Sequence, residues 1–222
     1  MKRLLAWIEE ILWPRRTVCL CCDYVSEGEM LCPACLKALQ AMRLEASEQG
    51  DGDVRSIYRY EGIVRQLVHQ LKLDCQKDAA EVLAADMADL LSSMALPADT
   101  VLTWVTMPDM RRKKRGIDHG RTLCEAVSRR TGFPARQLLV RVGNVHTQRG
   151  LNREKRLKNV ARNIRCEEKI SVPVVLIDDV LTTGATVSVC SEALRNAGAP
   201  RVLALTASKV VLRRRFFRIG RG

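Results

Sequence analysis

The stretch Val172–Thr186, VPVVLIDDVLTTGAT, decides the fold. Its run Val174–Ile177 suits a strand covered on both faces, as in a parallel α/β sheet. Ligands of such sheets sit outside the carboxyl ends of the strands, where Asp178 and Asp179 are expected to fall. Carboxylates there accept hydrogen bonds from a vicinal diol. Thr182, Thr183, Gly184, Ala185 and Thr186 then form a small, hydroxyl-rich loop in which Gly184 permits close backbone approach. A helix starting near Thr186 would aim its unpaired N–H groups and positive dipole end at that loop. Such a terminus binds phosphate without a lysine. The alternative is an ordinary strand–turn–helix whose Asp and Thr residues cap the helix.

Outward from this segment, strands alternate with helices. Ser56–Tyr60 alternates as a strand, and Gly62–Leu73 places Ile63, Val64, Leu67, Val68 and Leu71 at helical spacing. Asp78–Met94 is a second amphipathic helix ended by Pro97, and Val101–Met107 is a buried strand ending at Pro108. Asp118–Thr131 is a helix stopped by Gly132 and Pro134. Leu138–Val142, the helix Val187–Asn196 and the strand Val202–Ala207 follow. This alternation predicts a parallel sheet of βα units.

The 222 residues hold one substantial core and a small appendage. No apolar run approaches the roughly 20 residues that span a bilayer. MKRLLAWIEEILWP is basic at its start but interrupted by Glu9 and Glu10, so it reads as a brief amphipathic helix rather than a secretory signal. A cytoplasmic protein is expected. The net charge of +12 is uneven: Arg111–Arg121 carries +5, Arg141–Ile170 +6 and Arg201–Gly222 +7, leaving −6 elsewhere. Such asymmetry favours an anionic partner, whether polyphosphate, nucleic acid or an acidic membrane surface, and solvated helix faces account for part of it.

Five of the nine cysteines crowd into Cys19–Cys35. Two C-x2-C knuckles, Cys19/Cys22 and Cys32/Cys35, offer four thiolates to one tetrahedral Zn²⁺, with Cys21 competing for a place in the first knuckle. A redox C-x-x-C pair is the rival reading. A segment of about forty residues lacks a core of its own, so structural zinc would supply its folding energy.

Asp178–Thr186 closely resembles the phosphoribosyl-pyrophosphate (PRPP) loop of type I phosphoribosyltransferases. The resemblance widens with Leu12-Trp13-Pro14 before the knuckles, Lys72 in LKL, Arg111 and Arg115-Gly116 after the strand, Thr147-Gln148, Leu151, Arg156 and Asn159-Val160. In this order they resemble the ComF/GntX family over nearly the entire chain. Two departures stand out: Ile117-Asp118-His119 replaces the family's Phe-Asn-Gln, and Asn163-Ile164 lies where an aromatic is common.

The resemblance implies a type I phosphoribosyltransferase-like parallel sheet flanked by helices, with a small N-terminal four-cysteine zinc module. Residues 1–45 would be the helix and zinc module, 54–212 the phosphoribosyltransferase-like domain, and 213–222 a basic tail. Asp178, Asp179, Thr182, Thr183, Gly184, Ala185 and Thr186 would bind PRPP or a related 5′-phosphoribosyl ligand with Mg²⁺. Arg115 and then Arg111, on a loop at Met107–Arg115, would grip phosphate. Val145–Asn163 would be a mobile hood reaching anionic ligand through Gln148, Arg153 and Arg156. The family's association with natural competence implies a role in uptake or utilisation of external single-stranded DNA, with a DNA-uptake machinery as partner.

An active transferase of unknown acceptor and a non-catalytic sensor are the alternatives. No residue stands out as a general acid or base. His119 and His146 lie near the right segments, His69 belongs to a helix face, and Asp178 or Asp179 would move protons only with a raised pKa.

Overall fold

The structure, a computed structural model, describes residues 16–50, 52–74, 77–106, 118–141 and 164–211. Its centre is a four-stranded, fully parallel sheet of β3 (Val54–Arg59), β4 (Val101–Trp104), β7 (Val174–Leu181) and β8 (Val202–Lys209). Across the sheet the order is β3-β8-β7-β4, with Val175 facing Leu102 on one side and Leu203 on the other. Because both faces are covered, β7 and β8 open on continuous apolar runs, Val174–Ile177 and Val202–Leu205, rather than alternating ones.

Pleating sorts these runs into two cores. Val175 and Ile177 pack with Leu203, Leu205 and Ala207 beneath α2 (Gly62–His69), α3 (Lys77–Ser93) and α4 (His119–Thr131). Val174 and Leu176 pack with Val202 and Ala204 beneath α5 (Ala185–Asn196), which buries Val187, Cys190 and Leu194. In α3, Ala79, Ala80, Leu83, Ala84, Met87, Ala88 and Leu91 form the buried stripe, and its small residues let α4 pack closely. Between α2 and α3 the chain makes a π-helical turn, Gln70–Asp74.

Two antiparallel ribbons lie outside this sheet. β1 (Arg16–Val18) pairs with β2 (Val25–Glu27), ahead of α1 (Pro33–Ala41). β5 (Leu139–Arg141) pairs with β6 (Ile164–Cys166) and packs against α5. Cys19, Leu31, Cys32 and Leu39 are buried in the same core as α2 and α3, so the cysteine module shares the sheet's hydrophobic interior. The segment following α1 runs along β3, with Leu44 N–H donating to the Ile57 carbonyl and Arg59 N–H to that of Met42.

The expected strand Val174–Ile177 is too short. β7 continues through Asp178 and Asp179 to Leu181 because β8 keeps pairing with it, Asp178 opposite Thr206 and Leu181 opposite Lys209. The aspartates therefore lie within the strand, not beyond it. Leu138–Val142 is likewise not an ordinary sheet strand but half of the β5–β6 ribbon. The helix expected at Gly62–Leu73 changes to π geometry at Gln70, and the helix expected from Val187 starts at Ala185.

Helix α4 begins at a side-chain cap. Asp118 Oδ1 accepts from the N–H groups of Gly120 at 3.1 Å and Arg121 at 3.3 Å. Gly120 fits because a Cβ there would lie 3.1 Å from the Val105 carbonyl. Replacing Asp118 with Ala should cost about 1 kcal/mol, read as a shift in urea-unfolding midpoint with an unchanged slope.

Candidate functional site

Adjacent strands β4 and β7 send their following helices to opposite faces of the sheet: α4 to one and α5 to the other. A crevice at the carboxyl ends of two such strands is the usual ligand position of an open α/β sheet. Strand alternation points Asp178 and Asp179 to opposite sides of it.

Asp179 lies on the face of α2 and α4 and is nearly fully buried. Lys72, from the π turn, brings its Nζ to 2.8 Å from Asp179 Oδ1. His119, the first residue of α4, brings its Nε2 to 3.1 Å from Oδ2. Burial alone would raise this carboxyl's pKa, but His119 and Lys72 together hold it below the ordinary carboxylate range. Ser208 Oγ donates to the Asp179 carbonyl at 3.1 Å and fixes the strand beneath.

Asp178 lies on the opposite face, where its charge is felt by Cys190 of α5. Its Oδ1 accepts from the Asp179 N–H at 2.9 Å. Burial, seconded by the charge of Asp179, pushes its pKa up to about 7.

Beyond Leu181, Thr182 and Thr183 are exposed, and Gly184 is the cap of α5 at φ 74°, with no side-chain hydrogen bond to the helix. The capping alternative for the Asp and Thr residues therefore does not hold. Ser188 N–H is the donor that reaches back to the Gly184 carbonyl, so the earlier N–H groups of the first turn face the loop without intrahelical acceptors. The Asp178 carboxylate thus lies a few residues before a helix start whose first N–H groups have no side-chain cap.

Asp178, Asp179 and Thr182 to Thr186 lie on one strand–loop–helix unit, and Lys72 and His119 contact Asp179. The sequence places His119 near the right segment, but its pairing with Asp179 on another element has no local signal. His69 is exposed at the end of α2. Arg111, Arg115, Gln148, Arg153, Arg156 and His146 lie outside the described residues, as do the N-terminal helix and the basic tail.

The Sγ atoms of Cys19, Cys22, Cys32 and Cys35 all lie within 4.8 Å of one another, and this cluster can hold a metal ion. Cys22 Sγ is 3.7 Å from both Cys32 Sγ and Cys35 Sγ. Tetrahedral zinc with bonds of about 2.3 Å would set such edges near 3.8 Å. Backbone N–H groups point at the sulfurs, Cys32 to Cys19 at 3.3 Å and Cys35 to Cys32 at 3.5 Å, as suits thiolate ligands. Cys21 stands outside the cluster and packs against the core, so the first knuckle is Cys19/Cys22. Cys32 is also the cap of α1, with Pro33 following it, so the helix start sets the second knuckle.

No helix among the described residues is long and apolar enough to cross a membrane.

No family model matches the chain. Among solved structures, the glutamine PRPP amidotransferase of B. subtilis, complexed with ADP and GMP, is 19% identical at a TM-score of 0.43, over 63% of this chain and 30% of that one. The competence protein ComFC of Streptococcus pneumoniae is 28% identical over 212 residues, covering 91% of this chain and 93% of that protein. The DNA utilization protein YhgH of Salmonella typhimurium is 30% identical over 155 residues, 66% of this chain and 67% of that protein. With identity of this extent to a DNA utilization protein and alignment nearly end to end with a competence protein, the chain belongs to the ComF/GntX family.

Proposed function

We propose that this protein binds a 5′-phosphoribosyl ligand, PRPP or a near relative, at the carboxyl edge of its sheet and serves the uptake or utilisation of external DNA. The observation that carries the reading is the spacing of two complementary groups on one strand–loop–helix unit. Asp178 supplies a carboxylate for a ribose diol, and the glycine-capped start of α5 supplies free N–H donors for the 5′-phosphate.

The Thr182–Thr186 loop wraps the phosphate with hydroxyl groups. Lys72 adds a cation beside Asp179, on the side where a pyrophosphate would project. The segment 107–117, with Arg111 and Arg115, follows β4 and precedes the cap of α4 in chain order. Gln148 and Arg156 belong to the segment joining β5 to β6. Mg²⁺ would arrive with the pyrophosphate as part of the ligand.

The cellular role rests on the names of the relatives, a DNA utilization protein and competence proteins. The basic blocks of the sequence suit contact with a nucleic-acid backbone, which would weaken steeply with salt. Zinc is the metal assigned to Cys19, Cys22, Cys32 and Cys35, since a four-thiolate site favours it and offers no open position for chemistry. The role of that ion is structural.

Calorimetric titration of PRPP with Mg²⁺ tests the pocket. Asp178→Asn leaves the Asp179 contacts with Lys72 and His119 in place and should weaken binding about tenfold or more, the worth of a hydrogen bond to a charged group. Unchanged affinity in the folded variant would refute the assignment.

The same titration across pH carries a second expectation. Only the ionised Asp178 accepts from the diol, and its pKa in the free protein is about 7. Below that pH a proton must leave before binding, so affinity should fall by up to about tenfold per pH unit, levelling off above it. In Asp178→Asn this component of the slope should vanish, leaving only the ligand's own phosphate titration.

Elemental analysis should find one zinc per chain. Cys21→Ser should keep it, whereas Cys22→Ser should lose most of it and melt earlier; full retention by Cys22→Ser would exclude the four-cysteine site.

A further inference from the structure

We propose that Gln70 is a positioning residue that ties Lys72 to the metal module, so that the four-cysteine site and the phosphoribosyl site bind their ligands cooperatively. This rests on the pocket reading above for its second site, but the mechanical link stands on hydrogen bonds within the chain.

The link begins inside the first knuckle. Leu20 and Cys21 lie between the ligands Cys19 and Cys22, and both of their carbonyls are taken by α2 and the turn that follows it. Gln66 Nε2 donates to the Cys21 carbonyl at 3.2 Å, and Gln70 Nε2 donates to the Leu20 carbonyl. Residues four apart share one helix face, so the two amides grip the knuckle side by side. From its other side, Leu20 donates its N–H to the Met30 carbonyl at 2.9 Å, two residues before Cys32. The Leu20 peptide is therefore held between the second knuckle and Gln70.

Gln70 is also the first residue of the π turn. π geometry is rare and persists where neighbouring structure over-determines it, often beside functional sites. Here Leu67 and Leu71 anchor the turn in the core, Gln70 anchors it to the knuckle, and Lys72 leaves it toward Asp179 at 2.8 Å. An α-helical continuation would turn Lys72 to a different azimuth around the axis. Metal binding gathers four sulfurs and stiffens the Leu20–Cys21 peptides. Through Gln70 that stiffness reaches the only described lysine contacting the aspartate pair. Because coupling between two binding sites is reciprocal, ligand held at Lys72 should in turn hold the metal.

The test uses the full-length, zinc-loaded protein. Gln70→Glu keeps the side chain's shape but replaces the donor with a carboxylate that repels the Leu20 carbonyl. Gln70→Met, of similar length and good helix propensity, is the second variant should the first fail to fold. Hydrogen–deuterium exchange over residues 62–74 should quicken by about tenfold in either variant, with β7 unchanged and zinc content still one per chain. PRPP with Mg²⁺ should bind about tenfold more weakly, within the usual range of coupling.

Competition with a chelator supplies a readout that a purely structural role would not move. Saturating PRPP should slow zinc loss from the wild type and have no such effect on the variants. Exchange over 62–74 unchanged in both variants would overturn the proposal, as would zinc retention indifferent to PRPP in a wild type that binds it. A wild type that fails to bind PRPP would refute the pocket reading alone, and the exchange comparison would still decide the link.

Discussion

The buried carboxylate of Asp179 is the constraint on which the site depends. An ionised group with so little exposure carries a desolvation cost of several kcal/mol unless partners offset it. Lys72 and His119 provide that offset from two different elements, so the charge can be kept only if the π turn and the start of α4 both close on β7. Removing either partner leaves a buried charge poorly compensated, which is a far larger penalty than losing a surface ion pair. The interaction thus does for the site what the apolar residues Val175 and Ile177 do for the layer below it, on the same face of the same strand.

Strand alternation divides the labour between the two aspartates. Asp179, turned toward α2 and α4, is committed to Lys72 and His119. Asp178, turned toward α5, has the Asp179 N–H as its one recorded hydrogen-bond partner among the described residues and retains capacity for a ligand. The two flanking helices differ in the same sense. α4 starts with its first N–H donors satisfied by Asp118, whereas α5 starts at Gly184 with no side chain in the way. An anion entering the crevice therefore meets open donors at α5 and closed ones at α4, so the asymmetry of the caps orients it.

Much of this was legible in the sequence. The cysteine spacing identified the four clustered sulfurs, and the apolar run before the aspartates identified a strand of the parallel sheet. What escaped had physical reasons. Aspartate is a poor strand former, so Val174–Ile177 looked complete; only the partner strand β8, itself running to Lys209, reveals that pairing continues through Asp178 and Asp179. The strands β1, β2 and β6 span three residues each, too few for alternation to register. Lys72 carried part of the family resemblance and His119 lay near the right segment, but their joint contact with Asp179 is tertiary and has no local signature.

The cysteine module bears on the site through the same logic of shared burial. Were it an independent appendage, its metal would stabilise only itself. Instead Cys19, Cys32, Leu31 and Leu39 lie in the core that also holds Leu67 and Leu71, and the knuckle's carbonyls serve as acceptors for α2 and the turn after it. The turn that delivers Lys72 is consequently bounded by apolar packing on one side and by the knuckle on the other. A helix end with a single anchor could fray or relax to α geometry; one anchored on both sides holds its lysine at the aspartate pair. The four-cysteine cluster and the crevice beside Asp178 and Asp179 thus flank one close-packed core rather than lying in separate units.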